Sequence, residues 1–165
     1  MKTVSHGDVL AAAAKGDDEA LGVLVRAYHD RVYQFGLRVC RDGFDADDAV
    51  QEAFVKLARR PDVVRDPGAL SWLMSVVRNA CLRMLRPFVR ERRTLGERVD
   101  IAEEVASEQL DLILRDLEGL SGDETCHALG LETAAMKTRL HRARMQLRSE
   151  LLRRGEARGQ SKEMN

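Results

Sequence analysis

The sequence predicts an all-α protein, and three observations carry that prediction. Aromatic residues make up only 4 % of the chain, which disfavours the aromatic and β-branched strands of sandwiches and barrels. Only Pro61, Pro67 and Pro87 interrupt it. Apolar residues recur at helical rather than alternating spacing through most of its length. The 165 residues suffice for one ordinary domain or two small ones.

From Asp17 to Cys40, the residues Ala20, Leu21, Leu24, Ala27, Tyr28, Val32, Phe35 and Val39 fall on one stripe, so a long helix is expected there. Arg41-Asp42-Gly43 ends it, with Gly43 read as a left-handed cap. A second helix is expected from about Asp45 to Arg59. Asp45, Asp47 and Asp48 complement the dipole of its first turn, and Val50, Ala53, Phe54 and Leu57 face inward. The opposite face carries Asp48, Gln51, Glu52 and Val55, either a solvated surface or a docking surface for a basic partner.

Arg60 to Gly68, with its two prolines, reads as a loop. A third helix follows from about Ala69 to Leu85, with Leu70, Leu73, Val77, Ala80 and Met84 on one side and Pro87 as its limit. Trp72, Arg78, Asn79, Arg83 and Arg86 lie on or beside its other faces. The arginine row continues into Arg90, Arg92 and Arg93, which reads as soluble surface or as a phosphate-binding face.

Thr94 to Asp100 is polar and contains Gly96, and is expected to be a linker. The expected division is therefore a first module over residues 8–93, a linker over 94–100, a second module over 101–154, and a frayed polar tail over 155–165.

In the second module Leu110, Ile113, Leu114 and Leu117 continue a helix that stops at Gly119. Ser121-Gly122-Asp123-Glu124 has the form of a capping box, which starts a short helix. That helix turns Cys126, Ala128 and Leu129 inward and ends at Gly130, and a longer helix then runs to about Leu152. Helix, glycine turn and helix make a DNA-reading helix-turn-helix. Met136, Leu140, Ala143, Leu147 and Leu151 form the packing stripe of the last helix. Lys137, Thr138, His141 and Arg142, flanked by Arg139, Arg144 and Arg148, form the other side. Arg and Lys suit phosphates and guanine edges, while Thr and His are compact enough to approach bases. A basic amphipathic helix for a membrane or a partner is the alternative.

The formal net charge is +0, yet the charges are segregated. Two basic blocks, Arg78 to Arg93 and Lys137 to Arg154, flank an acidic stretch running from Glu97 through Glu108, Asp111 and Asp116 to Glu124. Cys40, Cys81 and Cys126 are widely spaced and lack CxxC, so buried free thiols are expected rather than a disulfide framework or a metal site. The first residues lack a signal peptide's apolar stretch and no segment is long enough to span a membrane, so a cytoplasmic protein without membrane insertion is expected. No P-loop, GxSxG, HExxH or dinucleotide fingerprint occurs, and neither His141 nor Ser121 has an activating constellation. No enzyme activity and no cofactor are therefore expected.

Four pieces in order resemble the bacterial sigma factors of the extracytoplasmic-function group. They are Asp17-Asp18-Glu19-Ala20-Leu21 leading into Ala27-Tyr28; Ala46-Asp47-Asp48-Ala49-Val50-Gln51-Glu52-Ala53-Phe54; Trp72-Leu73 with Arg78-Asn79-Ala80; and Leu114 to Ser121 followed by Met136 to Arg144. The resemblance implies two helical modules, one for core RNA polymerase and the minus-ten promoter element, the other for the minus-thirty-five element. It implies polymerase contact by Asp47, Asp48, Gln51, Glu52 and Phe54. It implies minus-ten contact by Val63, Arg78, Asn79, Arg83 and Arg86, with the Arg60–Gly68 loop and Asn79 forming a pocket for a flipped base. Lys137, Thr138, Arg139, His141, Arg142 and Arg144 correspond to the minus-thirty-five contacts.

The group also implies an anti-sigma partner. The chain departs from the group's pattern at Arg83, where Asp is common, at Ala135, where Thr is common, and in a short stretch between Arg93 and Leu114. A stand-alone helix-turn-helix regulator and a helical protein adaptor are the alternative readings.

Overall fold

Ser5 opens the first helix of the computed structural model with a reciprocal cap: its hydroxyl accepts from the Gly7 amide and the Asp8 carboxylate accepts from its own amide. The structure describes residues 5–64, 68–96 and 108–163, and no strand occurs among them. This helix, α1 (His6–Ala14), was not expected from the sequence. It is tied to the next helix by a 3.0 Å hydrogen bond between His6 Nε2 and Tyr28 Oη.

Helix α2 (Asp18–Cys40) starts where the Asp17 carboxylate accepts from the Ala20 amide at 2.8 Å. Its end corrects one expectation. Arg41, with φ 62°, takes the left-handed position, and Gly43 is instead the first residue of α3 (Gly43–Arg59). Asp42 caps α3 by accepting from the Phe44 and Asp45 amides. A 3₁₀ turn, Pro61–Val64, follows; residues 65–67 of the expected loop lie outside the described residues.

Helix α4 (Ala69–Thr94) runs straight through Pro87, which the sequence reading took as its limit. Proline removes one donor and crowds the preceding turn, but Arg83, whose carbonyl loses that donor, is exposed, so solvent can satisfy it. The helix thus absorbs the start of the expected linker; residues 97–100 and the acidic residues Glu97, Asp100, Glu103 and Glu104 lie outside the described residues.

Helices α2, α3 and α4 pack on one another and α1 lies on α2. Leu24, Val32, Leu57, Leu73 and Val77 are wholly or almost wholly buried between them, each such burial stabilising by about 1.5–3 kcal/mol. The three helices crowd at Gly36, where a Cβ would meet Val77 Cγ1 at 3.3 Å and Ala46 Cβ at 3.5 Å. Cys40 and Cys81, expected as free thiols, are buried but form a disulfide between α2 and α4, with Cα atoms 4.9 Å apart. The two lie on facing stripes of crossing helices, a juxtaposition that a separation of 41 residues does not reveal. Cys126 is the free cysteine.

The second module contains α5 (108–117), whose last part, Ile113–Leu117, is π-helical, then α6 (Gly122–Leu129) and α7 (Thr133–Glu163). Gly119, with φ 70°, ends α5. Helix α7 continues about ten residues beyond the expected stop at Leu152, through most of the segment expected to be frayed. The two modules are not separate bodies on a string: α6 lies against α4, and Leu110, Leu114, Leu120, Ala128 and Leu129 belong to the same buried cluster as the first module's core.

Candidate nucleic-acid interface

The helix-turn-helix is built by local chemistry. Ser121 Oγ accepts from the Glu124 amide at 3.1 Å, the Glu124 carboxylate accepts from the Ser121 amide at 2.7 Å, and Thr125 Oγ1 donates to the Ser121 carbonyl at 2.9 Å. The first two satisfy amide donors that a helix start leaves open, and the third ties the Thr125 hydroxyl to the same turn. At the other end Gly130 adopts φ 64°, and the Leu131 amide reaches back to the Cys126 carbonyl at 2.9 Å, a left-handed closure that favours glycine. The chain then turns into α7, whose Met136, Leu140 and Ala143 are buried.

This seating leaves Lys137, Thr138, His141, Arg142 and Arg144 exposed along one side of α7. Thr138 Oγ1 donates to the Ala134 carbonyl at 3.0 Å, which fixes the direction of its side chain. Arg144 donates twice to Asp116, at 2.9 and 2.6 Å. These bonds hold the Asp116 carboxyl below its ordinary range. Arg142 reaches Glu108 at 3.5 Å while keeping 58 % of its side chain exposed.

Arg139 departs from its expected role. Its side chain turns inward, 22 % exposed, with Nε 2.9 Å from Asp111 Oδ2, and Asp111 is wholly buried. Burial pushes the Asp111 carboxyl up to about 6, against the opposing pull of Arg139. Glu108 and Asp111, which belong to the acidic stretch of the sequence, are thus interior residues that hold basic side chains of α7. The packing stripe is also shorter than expected: Leu147 and Leu151 are 45 % and 61 % exposed, and line an open groove with Leu112, Arg148 and Leu152.

On the first module Asp47, Asp48 and Gln51 are exposed on α3, with Val55 43 % exposed beside them. Glu52 is less available than expected. It accepts from Lys56 at 2.6 Å and, through both oxygens, from Arg83 at 2.8 Å, and these bonds lower its carboxyl's affinity for a proton. Arg83, standing where the resembling group has an acid, therefore bonds to a residue of the acidic face rather than projecting freely. Phe54 is half-buried and stacks on His29, which stacks in turn on Tyr33.

Of the other expected minus-ten residues, Asn79 and Arg86 are exposed and Val63 is half-buried against the core. Arg78 is half-buried, its Nε has no hydrogen-bond partner, and burial lowers its affinity for a proton. Arg90 is exposed, whereas the side chains of Arg92 and Arg93 lie outside the described residues.

The sequence reading missed Phe44, 84 % exposed in the first turn of α3. It stands three, four and seven residues before Asp47, Asp48 and Gln51 and so shares their face. Starting the helix at Asp45 hid it. Among the described residues no group of His, Cys, Asp and Glu could hold a metal ion, and no helix is long and apolar enough to cross a membrane.

Residues 24–91 match the family described as Sigma-70 region 2, and residues 112–147 match Sigma-70, region 4. The chain is 31% identical to the ECF RNA polymerase sigma factor SigE of Mycolicibacterium smegmatis over 177 residues, covering 90% of this chain and 69% of that protein. It is 28% identical to the ECF RNA polymerase sigma factor SigM of Mycobacterium tuberculosis over 162 residues, covering 87% of this chain and 83% of that protein. A solved structure of CnrH in complex with the cytosolic domain of CnrY superimposes with a TM-score of 0.60 at 26% identity, covering 87% of this chain and 94% of that one.

Proposed function

Since the chain belongs to the ECF RNA polymerase sigma factors, which bind core polymerase and direct promoter-specific initiation, we propose that its two modules divide that work between opposite charges. Helix α3 presents Phe44, Asp47, Asp48 and Gln51 to a basic surface of core polymerase, with Phe54 and Glu52 at the margin. An acidic stripe with an exposed aromatic favours a protein partner, because a polyanion would be repelled.

The middle of α4 carries Asn79, Arg83 and Arg86, with the half-buried Arg78 beside them, toward the minus-ten element, and Val63 of the 3₁₀ turn completes the set. Helix α7 enters the major groove at the minus-thirty-five element with Lys137, Thr138, His141 and Arg142, and Arg144 at the edge. The observation that carries this reading is the exposed basic side of α7 behind a doubly capped α6 and a left-handed Gly130, the seating that lets a second helix lie in a groove. Arg139 supports α7 from inside.

On this reading the protein works by binding and strand opening without covalent chemistry, in the cytoplasm where polymerase is. An anti-sigma protein is a further partner, supported by the likeness to CnrH, whose structure was solved with CnrY. In-vitro transcription with purified core polymerase tests the division. Lys137→Ala with Arg142→Ala is expected to abolish promoter-dependent transcripts while co-purification with core is retained, and Asp47→Lys with Asp48→Lys is expected to abolish co-purification, and the transcripts with it, while binding of the chain alone to minus-thirty-five DNA is retained. Loss of co-purification in the first pair, or of DNA binding in the second, would overturn the division.

A further inference from the structure

The bridged cysteines have no part in the binding faces described above, yet they sit where those faces meet. Cys40 is the last residue of α2 and Cys81 stands in the middle of α4, 2 % and 0 % exposed. One helical turn earlier on each helix, Gly36 and Val77 pack the same crossing, so the two layers are stacked on each other. The Gly36 layer has no slack. A Cβ there would stand 3.3 Å from Val77 Cγ1 and 3.5 Å from both Ala46 Cβ and Val50 Cγ2 of α3. Ala46 and Val50 are buried, and the residues that follow them, Asp47 and Gln51, belong to the exposed acidic face.

We propose that Cys40 and Cys81 form a reversible redox site whose bridge sets the seat of α3, and with it the affinity of the acidic face for core polymerase. This rests on the reading of that face as the polymerase contact. In a reducing cytoplasm thiols are kept free, and the disulfides that do form there are usually transient and redox-sensing. Bonded sulfurs lie about 2.05 Å apart, whereas atoms that merely touch need roughly 3.5–4 Å. Reduction therefore asks for about 1.5 Å of extra room at a crossing that is already tight. A close-packed interior passes such a demand to its neighbours, and the neighbours of this layer are Ala46 and Val50.

A peroxide is the oxidant and a dithiol the reductant. Cys40 meets the peroxide first, because a helix end opens more readily than a helix middle. Its sulfur takes one oxygen as a sulfenic acid while the O–O bond breaks and one water leaves; Cys81 then attacks that sulfur, the S–S bond forms and a second water leaves. Two electrons pass from the thiols to the peroxide. A dithiol reverses the step by exchange and ends as the disulfide itself.

The test uses the full chain with Cys126→Ala, which leaves Cys40 and Cys81 as its only cysteines, and the same chain with Cys40→Ala and Cys81→Ala added. Each is treated with hydrogen peroxide or dithiothreitol, and the reagent is removed. Mass spectrometry after thiol alkylation reads the bridge, hydrogen exchange reads α3, and biolayer interferometry reads affinity for purified core polymerase. The bridged form is expected to protect the amides of α3 more strongly and to bind core about five- to tenfold more tightly than the reduced form. Half the chains are expected to be bridged at an intermediate ratio of glutathione to its disulfide. The chain without the pair is expected to respond to neither treatment.

A bridge that survives an excess of reduced glutathione is a fixed staple and overturns the switch. Equal affinity of the bridged and reduced forms for core overturns it as well. If neither form binds core, the polymerase reading falls and the regulation of that contact with it, and hydrogen exchange decides the redox site by itself: equal protection of α3 in both forms overturns that too.

Discussion

Replacing Arg139 by Met should destabilise the chain far less than removing one partner of a buried ion pair usually does, because Asp111 has an escape. Such removals typically cost about 3–5 kcal/mol when the remaining charge is trapped. The Asp111 carboxyl is already pushed from 3.8 to about 6; at about 1.4 kcal/mol per pH unit, burying it ionised disfavours the folded chain by about 3 kcal/mol at neutral pH. Without Arg139 the carboxyl takes up a proton, and holding it protonated at pH 7 rather than ionised at its present level adds only on the order of 1 kcal/mol.

Arg139→Met, which keeps much of the buried stem, is therefore expected to lower stability by about 1–2 kcal/mol at pH 7 and by clearly less at pH 5. The sign for the wild type follows from the same shift. A folded-state value above the unfolded one means that the folded chain binds the proton more tightly, so the contribution of Asp111 improves as pH falls through about 6 toward 4. Urea unfolding followed by circular dichroism from pH 5 to pH 8, on wild type, Arg139→Met and Asp111→Asn, measures both effects. Relative to Asp111→Asn, the wild type should gain on the order of 1 kcal/mol between pH 8 and pH 5. A penalty for Arg139→Met above about 3 kcal/mol, or one equal at pH 5 and pH 8, would refute the argument.

Three further outcomes are expected. Ser121→Ala removes the cap of α6 and should lower thermal stability by about 1 kcal/mol, with Ser121→Asp recovering most of it in the same melt. Reducing the Cys40–Cys81 bridge releases a constraint that closes a loop of 41 residues, and dithiothreitol should lower unfolding stability by up to about 4 kcal/mol on the chain-entropy argument; the Cys40→Ala, Cys81→Ala double variant should then be insensitive to the reductant. Arg142→Ala should weaken promoter binding and reduce the slope of log affinity against log salt by about 1, whereas an unchanged slope in filter binding would remove Arg142 from the phosphate contacts.

Periodicity revealed the long helices, and local chemistry revealed the helix-turn-helix, because the Ser121–Glu124 cap and Gly130 act within a few residues of themselves. Helix α1 carried the same kind of signal, Ser5 followed three residues later by Asp8, and was missed because the N-terminus was read only for targeting. Pro87 misled because a helix tolerates proline more readily where water can reach the freed carbonyl, and exposure is a tertiary property. The Cys40–Cys81 bridge, the Arg83–Glu52 bonds and the inward turn of Arg139 share one cause: each joins residues at least 28 positions apart across two helices, and such pairing is decided by crossing geometry rather than by the local pattern. The acidic face of α3 was visible as a stripe, but its aromatic end at Phe44 depended on a helix start two residues earlier than the expected Asp45.

Gly130 shows how much can hang on the handedness of a single α-carbon. Its left-handed backbone is the natural state of a D-residue, and a D-alanine there would keep the turn while setting its methyl where the other hydrogen stands. An L-asparagine also tolerates the backbone, yet its Cβ would be driven into Arg78. Semisynthesis with the two mirror choices would thus leave the turn in place in both proteins and obstruct the seat of one guanidinium in only one of them. Stereochemistry at one position thereby separates the making of the motif from its docking against the neighbouring module.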